Sequence, residues 1–120
     1  SPTEEERISE EKNHTSARDC GQLLEAIYRG EAVSETASQD MLMLLLGQER
    51  DYKIPAGVPE HVTVANKTGE TDTCQHDAAI VFGESGDYIL CVISEGLTDT
   101  EAAAALIQEI SAGVYAWMEQ

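Results

Sequence analysis

A two-residue hydrophobic period runs through Val62-Thr63-Val64-Ala65-Asn66-Lys67-Thr68-Gly69. Side chains alternate along an extended chain, so Val62 and Val64 share one face of this segment. The run ends in Lys67-Thr68-Gly69, and a polar turn follows over residues 70–75. We therefore predict a half-buried β-strand that ends with a cation, a hydroxyl and a glycine.

Two further strands and a long helix follow this segment. A short apolar run covers residues 78–82, and a loop at residues 83–87 joins it to Tyr88-Ile89-Leu90-Cys91-Val92-Ile93. The second run is apolar throughout, which is typical of a strand covered on both faces. Thr98 and Glu101 form a capping box for a final helix. Its predicted apolar stripe consists of Ala103, Leu106, Ile107, Ile110, Val114 and Trp117.

Two helices are predicted before the strand. Ser16 and Ser34 are suitable N-cap residues, and Gly30 and Gly47 mark the ends of the two helices. The predicted stripes are Cys20, Leu23, Leu24 and Ile27 in the first helix and Ala37, Met41, Leu44 and Leu45 in the second. The fold class is α+β, with two N-terminal helices, a three-stranded antiparallel meander and a long C-terminal helix packed on the sheet. Residues 1–14 form an acidic polar tail or loop, and residues 15–120 form the domain.

Composition limits the classes of partner. The 120 residues suffice for a single core. With 23 Asp and Glu against 7 Lys and Arg, the formal net charge is -16, which repels a phosphate backbone, so we expect no nucleic-acid partner. No apolar run approaches the ~20 residues that cross a bilayer, and residues 1–12 have neither the basic end nor the apolar stretch of a signal peptide.

The three cysteines are an odd number, so at least one is free or pairs outside the chain. Cys20 lies on a predicted helical stripe and Cys91 within an apolar strand, where a small buried hydrophobe is the ordinary interpretation. Cys74 stands two residues before His76, but no third ligand follows at a regular spacing. We predict no metal site and no cofactor.

Three stretches match one protein family in order and spacing: Lys53-Ile54-Pro55-Ala56-Gly57, Val64-Ala65-Asn66-Lys67-Thr68-Gly69-Glu70, and His76-Asp77-Ala78-Ala79-Ile80-Val81. With the opening and end of the first helix and with the final helix, they resemble class A β-lactamases and the related penicillin-recognising serine hydrolases. The similarity extends from about residue 13 to residue 120 and implies the C-terminal portion of a β-lactamase/transpeptidase-like fold. The K-T-G triplet alone is a weak signal, but it is specific for this family where a hairpin and a terminal helix follow its strand.

The resemblance implies acyl transfer, in which a serine opens a lactam ring and water releases the acyl group. Lys67 and Thr68 would hold the substrate carboxylate, and Gly69 would let the backbone approach the substrate closely. The backbone N–H of Glu70 matches the family's second oxyanion donor. His76 lies near a position where some members direct a basic residue at the same carboxylate. The residues alone also allow an ordinary strand end for K-T-G and a surface histidine for His76.

No convincing nucleophile is found. Ser9-Glu10-Glu11-Lys12 spells S-x-x-K, but the surrounding charges would keep this lysine protonated, whereas the chemistry needs a buried helix start. An S-D-N triplet and an identifiable deacylating glutamate are not found either. We therefore name no catalytic residue and expect no β-lactam hydrolysis by this chain alone.

Two function classes follow. In the first, the chain is part of a serine hydrolase acting on β-lactams or cell-wall peptides, and the family implies a secreted, periplasmic or cell-surface location. Lactamase and transpeptidase or carboxypeptidase roles stay open. In the second, the chain is a non-catalytic interaction module. In either class, the strand at residues 88–93 lacks its family neighbours, which predicts a homodimer, a swapped assembly or a complementing N-terminal segment. The alternative is a monomer in which the final helix folds over the shortened sheet.

Overall fold

The computed structural model describes residues 16–48 and 52–120. The elements in chain order are α1 (Ala17–Tyr28), α2 (Glu35–Leu46), a 3-10 turn (Pro55–Gly57), β1 (Thr63–Thr71), β2 (Cys74–Phe82), β3 (Asp87–Ser94) and α3 (Thr100–Met118). This arrangement confirms the predicted α+β fold class, including the order of helices and strands. The predicted tail at residues 1–14 and the Ser9–Lys12 motif lie outside the described residues. Within the described ranges, none of the helices combines the length and hydrophobicity that a membrane crossing requires.

Two of the three helix starts are those that the sequence predicts. The Ser16 hydroxyl accepts the Asp19 N–H at 3.1 Å and begins α1, and Ser34 caps α2 in the same way. The third prediction is wrong, because α3 is capped by Asp99, whose carboxylate accepts the Ala102 N–H at 3.0 Å. A carboxylate at this position satisfies a free N–H and also interacts favourably with the helix dipole, which favours Asp99 over Thr98.

The sheet is an antiparallel meander in the order β1-β2-β3. The β1–β2 turn is tighter than predicted, because the ladder continues through residues 70–71 and 74–75 and leaves only residues 72 and 73 as the turn. Main-chain hydrogen bonds hold this extension together and need no apolar side chains, so the hydrophobic pattern does not reveal it. The result is a long hairpin whose polar end contains Lys67-Thr68-Gly69.

Each face of the sheet is covered by its own core. On one face, Ala65 and Ile80 pack against Leu24 and Ile27 of α1. On the other, residues of alternate parity, including Ala79 and Val81, pack with Ile54, Val62 and Ile107. The alternation predicted for β1 is therefore confirmed. Cys91 packs at the edge of the first core, in agreement with its interpretation as a small hydrophobe, and Cys74 and Cys91 are free thiols.

The predicted helical stripes are partly wrong. Leu23 is 56% exposed, Leu44 71% and Trp117 69%, and Leu106 and Ile110 are also exposed. Two serines are fully buried instead. The Ser38 hydroxyl accepts the Ala32 N–H at 2.9 Å, and the Ser111 hydroxyl donates to the Ile54 carbonyl at 2.7 Å. A serine whose hydrogen bonds are satisfied can occupy a close contact that a leucine would overfill.

Candidate functional site

The predicted site residues lie at the polar end of the β1–β2 hairpin. The register pairs Gly69 with His76 and Thr68 with Asp77. Because side chains alternate along a strand, Lys67, Gly69 and His76 lie on the face of Ala65, and Thr68 and Glu70 lie on the opposite face. Thr68 is buried and Lys67 is exposed. The structure therefore brings the five residues into one hairpin but divides their side chains between its faces.

The contacts of one nitrogen indicate which backbone groups of β1 point away from β2, at the edge that pairs with no strand among the described residues. The Lys53 Nζ donates to the carbonyl oxygen of His76 at 2.9 Å and to that of Gly69 at 3.4 Å. One nitrogen reaches both oxygens only if both point into the space between β1 and β2. The C=O and the N–H of a trans peptide point in opposite directions, so the Glu70 N–H, in the same peptide as the Gly69 carbonyl, points away from β2.

Lys67 brings its charge to the same edge. Carbonyl groups of successive residues alternate in direction along a strand, so the Thr68 carbonyl points away from β2 like the Glu70 N–H. The Lys67 Nζ donates to this Thr68 carbonyl at 2.7 Å. The Lys67 ammonium, at the Thr68 carbonyl, and the Glu70 N–H thus lie along one edge of β1, and together they suit an anionic or strongly polarised oxygen.

The His76 ring is held in a defined orientation. The Ser94 N–H donates to His76 Nδ1 at 3.2 Å. Because an imidazole nitrogen that accepts a hydrogen bond bears no proton, the neutral ring has its proton on Nε2. In this orientation His76 is a single Nε2–H donor on the face that it shares with Lys67 and Gly69.

Lys53 is a residue of the site that the sequence reasoning missed. Its side chain is completely buried, and its Nζ lies 3.6 Å from Glu70 Oε1 and 5.3 Å from the centre of the Tyr52 ring. A buried ammonium group is tolerated only where carbonyl oxygens and a carboxylate surround it. The sequence signal was one lysine in the Lys53-Ile54-Pro55-Ala56-Gly57 loop, where no hydrophobic period indicates burial.

A buried acid ties the strand with K-T-G to that loop. Asp77 Oδ1 accepts the Asn66 side-chain amide at 3.0 Å, and Asp77 Oδ2 accepts the Ile54 N–H at 2.9 Å. Burial raises the pKa of the Asp77 carboxyl, and the bonds from Asn66 and Ile54 and the charge of Lys53 partly offset this rise. The alternation Gln75, Asp77, Ala79, Val81 was a usable sequence signal for this inward-facing acid.

Gln75 lies beside a cleft of about 450 Å³ that Glu70 and Gln108 also line. Its amide oxygen is buried and accepts no hydrogen bond from the part of the chain that the structure describes. No group of three or more possible metal ligands occurs among residues 16–48 and 52–120.

Comparison with known proteins gives one family. The model of the "Beta-lactamase enzyme family" matches residues 2–118. No curated protein matches the chain. The family match includes all five predicted site residues and the Lys53 loop.

Solved structures agree with the family match. PBP-A is 27% identical with a TM-score of 0.77, and the alignment covers 88% of this chain and 40% of PBP-A. A β-lactamase from Sphaerobacter thermophilus is 24% identical with a TM-score of 0.78, over 84% of this chain and 39% of that one. The TLA-1 extended-spectrum β-lactamase is 22% identical with a TM-score of 0.81, and the alignment covers 100% of this chain and 49% of that one. The chain thus spans less than half the length of each of these proteins.

Proposed function

This chain belongs to the beta-lactamase enzyme family, and from that premise we propose that it supplies the substrate-binding strand of a serine hydrolase that acts on β-lactams by acyl transfer. In this proposal Lys67 and Thr68 hold the substrate carboxylate. Gly69 leaves room for the substrate against the strand, and the Glu70 N–H stabilises the negative charge that develops on the attacked carbonyl oxygen. His76 adds a donor toward the carboxylate.

The observation behind this proposal is the position of Lys67 Nζ and the Glu70 N–H on one edge of β1. The Lys67 Nζ is 2.7 Å from the Thr68 carbonyl, and that carbonyl and the Glu70 N–H point to the same side. A β-lactam with a ring carboxylate has an anion and a reactive carbonyl oxygen that can be held by two such groups. A mutant of PBP-A has been solved as an acyl-enzyme complex with penicillin G, which supports the same class of substrate here.

The nucleophile is not assigned to this chain. Covalent catalysis needs an activated serine, and donors for the carboxylate and the oxyanion do not replace it. We propose that the chain is inactive alone and that a complementing N-terminal segment provides the serine and its base. The family implies that the complete enzyme is secreted, periplasmic or at the cell surface.

Complementation tests this function. The chain is mixed or co-expressed with the N-terminal portion of the domain, and nitrocefin turnover is measured for the chain alone and for the complemented protein. We expect turnover only in the complemented protein. Lys67→Ala should lower kcat/KM by about tenfold or more, because a charge-assisted contact to the carboxylate is lost.

Arg29→Ala is the matched control, because Arg29 is an exposed cation at the C-cap of α1 that pairs with Glu25 at 3.0 Å and is not one of the five predicted site residues. It should leave turnover within about twofold, as is usual for a surface ion pair. Absence of turnover in the complemented protein would contradict the hydrolase proposal. Turnover by the chain alone that Ser9→Ala abolishes would contradict its inactivity.

A second candidate is a non-catalytic module that binds a partner strand or a second copy of the chain through β3. Within the described residues β3 pairs only with β2, so its outer edge presents main-chain groups to an incoming strand. Sedimentation at micromolar concentration and amide exchange along residues 88–93 test it: a monomer with rapid exchange contradicts this candidate.

A further inference from the structure

Lys53 joins the two strands of the hairpin at one step of the ladder. Its Nζ lies 2.9 Å from the His76 carbonyl oxygen and 3.4 Å from the Gly69 carbonyl oxygen, and no part of its side chain is exposed. The two carbonyls belong to residues that face each other in the register. The ammonium group therefore holds β1 to β2 at the position of Gly69.

The same contact acts on the peptide between Gly69 and Glu70. A cation at the carbonyl oxygen draws electron density toward that oxygen, which makes the N–H at the other end of the conjugated peptide a stronger hydrogen-bond donor. Burial of the ammonium strengthens this effect, because water does not screen the charge there. The contact also fixes the plane of the peptide and so the direction of its N–H.

We infer that Lys53 is a positioning residue that orients and polarises the Gly69–Glu70 peptide, so that the Glu70 N–H is preorganised as an oxyanion donor. The inference rests on the proposed function for the role of that N–H. It adds a residue that touches neither substrate nor nucleophile and acts from the interior through one peptide unit. Glu70 contributes to its placement, because its Oε1 lies 3.6 Å from the ammonium.

The test compares Lys53→Met with Ser111→Ala. Methionine keeps the length of the buried side chain and removes the charge. Ser111→Ala removes the 2.7 Å hydrogen bond to the Ile54 carbonyl and loosens the same loop without touching the ammonium. Two quantities are measured for each variant: the NMR shifts of the Glu70 amide and the Gly69 carbonyl carbon in the 120-residue chain, and acylation kinetics in the complemented protein.

We expect Lys53→Met to move both NMR signals upfield and to slow acylation about tenfold, with the dissociation constant for the unreacted β-lactam within about twofold of wild type. This loss is smaller than the 10²–10³-fold that follows removal of an oxyanion donor, because the donor stays and is only weakened. Ser111→Ala should leave both signals and the acylation rate close to wild type. Lys53→Gln, which keeps a donor without the charge, gives the same comparison if the methionine variant does not fold, and we expect upfield shifts there too.

Unchanged Glu70 and Gly69 shifts in the folded Lys53 variants would overturn the inference, and so would a Ser111→Ala variant with equal shifts and equal loss of rate. The NMR measurement needs no catalysis. A complemented wild-type protein without acylation would therefore sink the proposed function and, with it, the catalytic role of Lys53, while the NMR shifts would still decide whether Lys53 polarises the peptide.

Discussion

The His76 imidazole lies directly over Gly69. A Cβ added at Gly69 would stand 3.3 Å from His76 Cδ2, closer than an ordinary contact. The ring cannot move away freely, because the Ser94 N–H holds its Nδ1 at 3.2 Å. The neighbouring strand therefore favours glycine at this position of K-T-G even before a substrate is considered.

Gly69→Ala should lower the free energy of unfolding by about 1 kcal/mol, the lower end of the cost of overpacking. Urea unfolding measures it, and the double variant Gly69→Ala/His76→Ala is the control. If the histidine ring is the cause, adding alanine at 69 costs little once the ring is absent. An equal cost in both backgrounds would assign the effect to the backbone of β1.

Gly57→Ala and Gly113→Ala should have opposite effects on stability. A Cβ at Gly57 would lie 2.5 Å from the Gln108 carbonyl oxygen and 2.6 Å from Ser111 Cβ, whereas nothing lies within 4 Å at Gly113 in α3. We expect Gly57→Ala to destabilise by about 1–3 kcal/mol through overpacking. Gly113→Ala should stabilise by up to about 1 kcal/mol through helix propensity. Thermal unfolding of the two variants measures both, and a stable Gly57→Ala protein would contradict the close packing of the turn on α3.

Asp77 should make stability depend on pH in an unusual direction for an acid. Burial raises the pKa of its carboxyl above 3.8, so the folded state holds this proton more tightly than the unfolded chain. The stabilisation of the folded state by this carboxyl is complete below pH 3.8 and is lost as the pH rises through the folded-state pKa. The stability advantage of wild type over Asp77→Asn should therefore be larger near about pH 4 than near pH 7, as urea titrations at both values would measure.

Comparison with Asp77→Asn isolates this carboxyl, because the other acidic side chains, among 23 Asp and Glu in total, are common to both proteins. A difference in stability that stays constant or grows toward neutral pH would show that the hydrogen bonds from Asn66 and Ile54, rather than burial, dominate the pKa of Asp77.

Cys91 should react slowly with alkylating agents. Burial, followed by the neighbouring Cys20 thiol, raises the pKa of Cys91 from 9.0 to about 11. At about pH 8 this lowers the reactive thiolate fraction by roughly 100-fold relative to the unfolded chain. Iodoacetamide labelling followed by peptide mass spectrometry measures the rate, with the same protein in urea as the reference. Equal rates in the two states would mean that β3 opens readily on the labelling timescale.

Local signals in the sequence predicted most of the architecture. The caps at Ser16 and Ser34 were readable because the donor lies three residues from the acceptor, and the two faces of β1 were readable because the strand period is fixed by backbone geometry. The K-T-G triplet in the second half of that strand located the hairpin. In each case the information lies within a few residues along the chain.

Long-range contacts decided the rest. Leu44 was predicted as core but is exposed, because a helical period identifies an apolar stripe without saying which part of it meets the sheet. The burial of Lys53 depends on carbonyls of residues 69 and 76, which lie 16 and 23 positions away. The presence of the strand, its period and the triplet within it were thus determined by sequence alone, whereas the extension of the strand to Thr71 was not. Which edge of β1 presents donors, and which buried cation stands behind it, was decided by the tertiary structure, because direction and desolvation arise only when distant segments pack together.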